Sequence, residues 1–436
     1  GLVVSHPLLL FNYLTVIYTR LNNQFFTVYF IIILQPKAML TNKSQQIQTF
    51  IDKSLSKSSR IHNTVLTIPS SLLLKLIVIR IHIASALWNI NSNYILSKID
   101  TVPSAGINRE IYDASPSIIR DYIQNKDTAV SSLQFALDDS IVQLHIYHYN
   151  TKNINNIVRL AYIWFDVVRK YGNTTCSKNI TLHLFLTDMN KTIPTSNNSI
   201  DREHINSAYT YPCRNNNYIV IYRKEDWFKT LIHESFHYFG LDFSGYGDTI
   251  TNEHLNSYFN TNNDYKLCEC YAETWATIIN CLFVSFYSVN LIPSFNAHFK
   301  QVLHVFSRCM KNEICFATYQ CYKIFNKLNI VAEKERVTVP NEYTEQTPIL
   351  SYHFFKLVMI SNFPTFIQWC SNNSRSIRFD DRNVNVNSSL FSFVELILMH
   401  IEDPILLQNI RSKQNIVADG PLFLRNTLRM VSYEMR

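Results

Sequence analysis

The alternation of apolar and polar residues divides the chain into a mixed first half and a helical second half. Residues 40–60 are polar. "SLLLKLIVIRIHIASALW" (Ser71 to Trp88) is apolar on every face, so its period does not distinguish a buried helix from strands. Residues 91–130 read as loops and short helices. "IVQLHIYHY" (Ile141 to Tyr149) alternates and is rich in β-formers, which predicts a strand. "INNIVRLAYIWFDVVRKYG" (Ile154 to Gly172) has helical spacing and a glycine stop. "ITLHLFLTD" (Ile180 to Asp188) predicts a strand, and "INSAYTYPC" (Ile205 to Cys213) and "YIVIY" (Tyr218 to Tyr222) predict two more, joined by the turn "RNNN". A helix follows in "DWFKTLIHESFHYFGLDFS" (Asp226 to Ser244), with Asp226 as its N-cap and Gly240 as its stop. After an Asn-rich loop, "DYKLCECYAETWATIINCLFVSFYS" (Asp264 to Ser288) predicts a long helix, and helical spacing continues to about Leu328. Residues 331–348, with Pro340 and Pro348, read as a surface loop, Ile349 to Ser361 as a helix, 371–389 as a polar loop, and the remainder as helical. No repeat is present.

Composition narrows the class. Of 436 residues, 47 % are apolar and 17 % charged, the balance of a globular chain rather than a disordered one. Only 7 are Gly, so turns rely on Asn and Asp. The formal charge of +7 is modest for this length and no Lys/Arg block stands out, so there is no electrostatic footprint for nucleic acid. Nine cysteines, an odd number in a large chain, do not suggest a secreted disulfide scaffold and point to a reducing compartment. Cys309, Cys315 and Cys321, spaced by six, read as buried free thiols rather than a metal cluster. Residues 1–38 form an apolar N-terminal extension in which "FFTVYFIIIL" (Phe25 to Leu34) is too short for a bilayer crossing of roughly 20 residues. We read the extension as non-native sequence upstream of Met39 or as an anchor; membrane attachment is expected only if it is native.

The chemistry concentrates in His233, Glu234 and His237, an H-E-x-x-H spacing. On a helix, residues four apart share a face, so both imidazoles can bind one Zn²⁺. Glu234, beside the first ligand, can take a proton from a water that the metal acidifies. The uncharged neighbours Leu231, Ile232, Phe236 and Phe239 suit a buried helix. A catalytic zinc needs a third protein ligand. The pattern HExxHxxGxxH fits at Gly240 but fails at Phe243, where a third histidine would stand. Asp242, one residue away, is a minor candidate. "CECYAETWA" offers Glu269 and Glu273, again four apart, each opening an E-x-x-A. "ETWA" resembles the third-ligand helix of gluzincins, and we prefer Glu273 as ligand, with Glu269 as the alternative ligand or a carboxylate orienting a histidine. Tyr246, His254, Tyr271, Tyr352 and His353 are candidates for stabilising an oxyanion.

The stretch from Asn217 to Ser244, followed by "LCECYAETWATIINCLF" and preceded by "FLTDMNKTIP" and "INSAYTYPC", resembles uncharacterised HExxH proteins of large DNA viruses of the mimivirus and phycodnavirus type. The resemblance covers about residues 180–290. It departs at Ala208, where a glycine is expected. With the order of elements along the chain, we expect an α+β fold: a zincin-like catalytic domain over residues 151–290, with an edge strand over the motif helix, between a mixed region at 39–150 and a mainly helical region at 291–436. The activity that the resemblance implies is zinc-dependent hydrolysis of a peptide or protein substrate, in the host cytoplasm or the virion, with His233 and His237 as ligands and Glu234 as base. The alternative is a catalytically inactive scaffold of that fold, serving as a virion or host-interaction protein.

Overall fold

The structure is a computed structural model. It describes residues 40–435 apart from 60–64, 104–108, 125–128, 149–153, 196–198, 375, 380–385 and 418–419. The apolar extension at 1–38 lies outside the described residues. The chain is α+β, with one six-stranded mixed sheet and many helices.

The apolar stretch around Ser71 is helical. Helix α1 (Ile68–Leu96) begins at Thr67, whose hydroxyl accepts from Ser70 N–H. Its β-branched residues would favour a strand. Packing decides otherwise: Leu74, Ile77, Val78, Ile81, Ala84 and Trp88 repeat at helical spacing and are buried. Among the described residues α1 is the one helix long and apolar enough to cross a membrane, and over half of that stretch is buried inside the protein.

The sheet order is β1 (Asp100–Pro103), β2 (Ala129–Leu137), β3 (Ser140–His148), β4 (Asn179–Thr187), β6 (Ile219–Arg223), β5 (Ala208–Tyr209). β2 and β3 form a tight antiparallel hairpin about Asp138, which takes φ 48°. From β3 the chain crosses through α2 (Ile154–Val168) to the parallel strand β4. β4 pairs in parallel with β6, and β5 runs antiparallel to β6 as the outermost strand. β5 is far shorter than the strand expected at Ile205 to Cys213. The sheet also crosses the boundary expected at residue 150, because β3 and β4 lie on either side of it. One buried apolar cluster runs from Leu73 to Met435, so the mixed, motif-bearing and C-terminal regions share a core.

Two helices behind the sheet carry the chemistry. Helix α3 (Trp227–Tyr238) has all 12 residues buried, and α4 (Leu267–Ser288) packs against it. The Trp164 indole N–H of α2 donates to Ser235 Oγ of α3 at 2.9 Å. Asp226 does not cap α3 as expected: it sits at φ 58° with no side-chain cap bond. Its carboxylate instead meets Lys191 at 3.3 Å and Arg429 at 3.2 Å, and accepts Met430 N–H at 3.2 Å. A long helix, α5 (Phe295–Leu328), packs on α4. Of the cysteines, Cys176 and Cys213 are paired, and Cys309, Cys315 and Cys321 are buried free thiols, as expected.

The segment Thr427–Met435 runs through the interior behind α3. Arg429, fully buried, pairs with Glu225, Asp226 and Glu434. Glu313 of α5 accepts the Ser432 and Tyr433 N–H groups. Lys323 donates to the carbonyls of Leu424 and Thr427 at 2.7 and 2.6 Å. Burial lowers the Lys323 ammonium from an ordinary 10.5 to about 7. The unfolded chain therefore holds more protons than the folded chain between those values, and this group adds stability as pH rises through that window. Lys323→Met is expected to remove that slope from denaturant-derived stability measured across pH 7–10, and to cost about 1–3 kcal/mol through the orphaned carbonyls.

Candidate metal centre

His233 and His237 project from one face of α3, one turn apart. Their Nε2 atoms are 3.2 Å from each other. Glu269, in the first turn of α4, brings Oε2 to 3.0 Å from His233 Nε2 and 3.3 Å from His237 Nε2. These three donors converge as a group that can hold a metal ion. Donors about 2.0–2.1 Å from a tetrahedral zinc lie about 3.3–3.4 Å from one another. The triangle here, with edges of 3.0–3.3 Å, is close to one face of such a tetrahedron.

The geometry thus reverses the preference between the two glutamates. Glu273, one turn further along α4, reaches the other side of the His233 ring, with Oε1 3.2 Å from Nδ1. Its position is set by Lys229, four residues before His233 on the same helix, whose ammonium pairs with the same carboxylate oxygen. Asp242, considered above as a ligand, takes the equivalent place at His237, in contact with Nδ1. Each imidazole is thereby flanked by a carboxylate on the nitrogen that faces away from the triangle, the arrangement that fixes the ring and raises its basicity as a ligand.

Local structure explains how Asp242 arrives there. Gly240 adopts φ 62°, and Leu241 N–H bonds back to Phe236 O at 2.8 Å, closing a left-handed helix stop. The chain reverses, and Asp242 returns to the last turn of α3. A Cβ on Gly240 would stand 3.2 Å from Cys213 Cβ, so tight packing adds to the requirement for glycine. Phe243 is buried against Phe379 and Phe393 and takes no part in the centre.

Electrostatics favour a cation. Burial pulls the His233 imidazole down, but Glu273 and Glu269 more than offset it and hold it up to about 9. For His237, burial is likewise outweighed by Asp242 and Glu269, which raise it well above the ordinary value. Burial pushes the Glu269 carboxyl up, and His237 and His233 overcome that and hold it low; for Glu273, Lys229 and His233 do the same. Glu234 differs: burial raises it, and the imidazoles counter only in part. The donor set, two imidazoles and a carboxylate with carboxylates behind them, suits a borderline-soft divalent ion such as zinc.

A small cleft lies beside the centre, lined by His233 and Glu234, by Ser207 and Ala208 at the sheet edge, and by Tyr352 and Met430 opposite. Of the residues considered for an oxyanion, only Tyr352 lines it, its ring 6.2 Å from that of His233. Burial, then Glu269 and Glu234, keep its hydroxyl protonated. Tyr246 is exposed, His254 Nδ1–H donates to Ile250 O, Tyr271 gives its O–H to Ile377 O, and His353 is buried away from the cleft. Lys229 was not singled out in the sequence, although a lysine at the start of the series 229, 233, 237 on an otherwise apolar helix face is a readable signal. No protein-family model, curated protein or solved structure matches this chain.

If the triangle holds the metal, Glu269→Gln weakens Zn²⁺ binding most, and Glu273→Gln by about 10–100-fold, measured by chelator competition. Lys229→Met removes the ammonium that faces the buried Glu273 carboxylate and is expected to cost about 3–5 kcal/mol of folding stability. Lys229→Met combined with Glu273→Gln should recover much of that loss, because both charges are then gone.

Proposed function

We propose that this chain is a zinc-dependent metallopeptidase with a zincin-like, gluzincin-type site. The observation that carries the reading is the donor triangle of His233, His237 and Glu269 with Glu234 next to it, at a cleft bordered by the outermost strand of the sheet. His233, His237 and Glu269 would hold the ion. When bound, zinc supplies a Lewis acid that polarises a carbonyl and acidifies a water.

The remaining work falls to the chain. Tyr222 N–H donates to Ser207 O, and β5 pairs Ala208 with Ile221. Backbone groups alternate in an antiparallel pair, so Ala208 N–H and C=O point to the open edge. An extended peptide can pair there as an added strand, which brings its carbonyl toward the centre. Glu234, raised by burial and therefore basic, accepts a proton from the attacking water and returns it to the leaving amine nitrogen. Tyr352, held protonated, donates a hydrogen bond to the oxygen on which charge develops. Glu273 and Asp242 keep the two rings aimed.

Elemental analysis of the purified chain should find one zinc, lost in His237→Ala. Glu234→Gln should keep the zinc and lower peptide hydrolysis by about 10²–10⁴-fold. A folded chain that takes up no zinc when it is supplied would overturn the proposal. Zinc without hydrolysis of any peptide would favour the non-catalytic scaffold.

A further inference from the structure

The cleft beside Glu234 also carries information about what the site accepts, on the reading that the protein is a peptidase. It encloses about 40 Å³. That is room for a few waters or one small side chain. Its lining includes Thr230, one turn before His233, but neither His237 nor Glu269, so it lies toward the start of α3 from the donor triangle. A peptide paired along β5 with its carbonyl at the triangle would place one of the two side chains flanking the scissile bond in this cleft.

Three features define that side chain. The far wall is Met430, which is anchored: its N–H bonds to Asp226, its carbonyl accepts from Lys356 at 3.0 Å, and its Sδ sits 3.8 Å from Lys229 Nζ. The cleft is thus bounded by a segment held at both backbone groups and has little freedom to widen. Two lining residues, Ser207 and Glu273, each carry a buried oxygen without a partner among the described residues, Ser207 Oγ and Glu273 Oε2. Buried oxygens of this kind call for a hydrogen-bond donor. The lysine at the wall, Lys191, is paired with Asp226 at 3.3 Å, while Glu234 and Glu273 present carboxyl groups.

We infer that this cleft is a subsite for a small, uncharged hydrogen-bond donor, and that the substrates are peptides with Ser or Thr directly beside the cleaved bond. Leu and Phe are too large, Asp and Glu meet carboxylates with no free cation, and Ala fits but leaves the buried oxygens unsatisfied.

The test is cleavage of a randomised synthetic peptide library by the zinc-loaded full chain, with products sequenced by mass spectrometry and both flanking positions scored. The expected result is a preference for Ser and Thr over Leu, Phe and Glu of roughly tenfold or more at one flanking position, with Ala between them. Met430→Ala should admit Leu and Phe at that position. Ser207→Ala, a mild change that leaves the wall in place, should reduce the preference for Ser over Ala and keep the size limit. Wild-type cleavage with Leu, Phe or Glu as frequent as Ser and Thr at both flanks would overturn the subsite while leaving the peptidase intact. No cleavage of any peptide would overturn the peptidase reading and the subsite with it.

Discussion

The organising constraint is that ionisable groups cannot be left uncompensated in a dry interior. The interface between α3 and α4 holds two imidazoles, three carboxylates within contact of them and the Lys229 ammonium, nearly all buried. Such a cluster persists only if each charge faces an opposite one. Lys229 against Glu273, and Asp242 and Glu269 against His237, meet that demand. The same compensation fixes where each ring points, so folding and pre-organisation of the centre are one event. Once both imidazoles give up their protons to act as ligands, three carboxylates face one ammonium, a balance suited to a dication.

A second layer of charges extends the arrangement outward. Asp226, at the foot of α3, is held by Lys191 and Arg429, and Arg429 also meets Glu225 and Glu434. The segment Thr427–Met435 is stitched into this layer and simultaneously provides Met430 to the cleft. Residues nearly 200 positions after the motif helix therefore shape what reaches it. At the other wall, β5 is a two-residue outermost strand whose Ala208 is buried in the core and lines the cleft.

Much of the fold was legible. The β3, β4 and β6 strands and the α2, α3, α4 and α5 helices coincide closely with stretches whose period was clear, because each buries one face or is wholly apolar with a marked stop. The hairpin partner β2 was not foreseen: Ser131 and Ser132 interrupt its apolar positions, and its turn relies on Asp138 and Asp139 rather than glycine. The stretch at Ser71 to Trp88 was ambiguous because its period is not clear, and packing, chiefly against α2, makes it a helix. Asp226 misled because its residue type suits an N-cap, while its surroundings recruit the carboxylate for Lys191 and Arg429.

By itself, the sequence determined the helix register that places His233 and His237 on one face with Glu234 beside them, since a 3.6-residue period follows from local backbone geometry. It also narrowed the third acidic partner to two residues of "CECYAE", which share a face of α4. Which of the two meets the Nε2 atoms of both imidazoles was decided only by the tertiary structure. The answer depends on how far α4 slides along α3, and that offset is set by burial of side chains distant in the chain and by Lys229, which draws Glu273 to the far side of the His233 ring and leaves the donor position to Glu269. The cleft was likewise invisible beforehand, because its walls come from β5, Tyr352 and Met430, which only folding brings together.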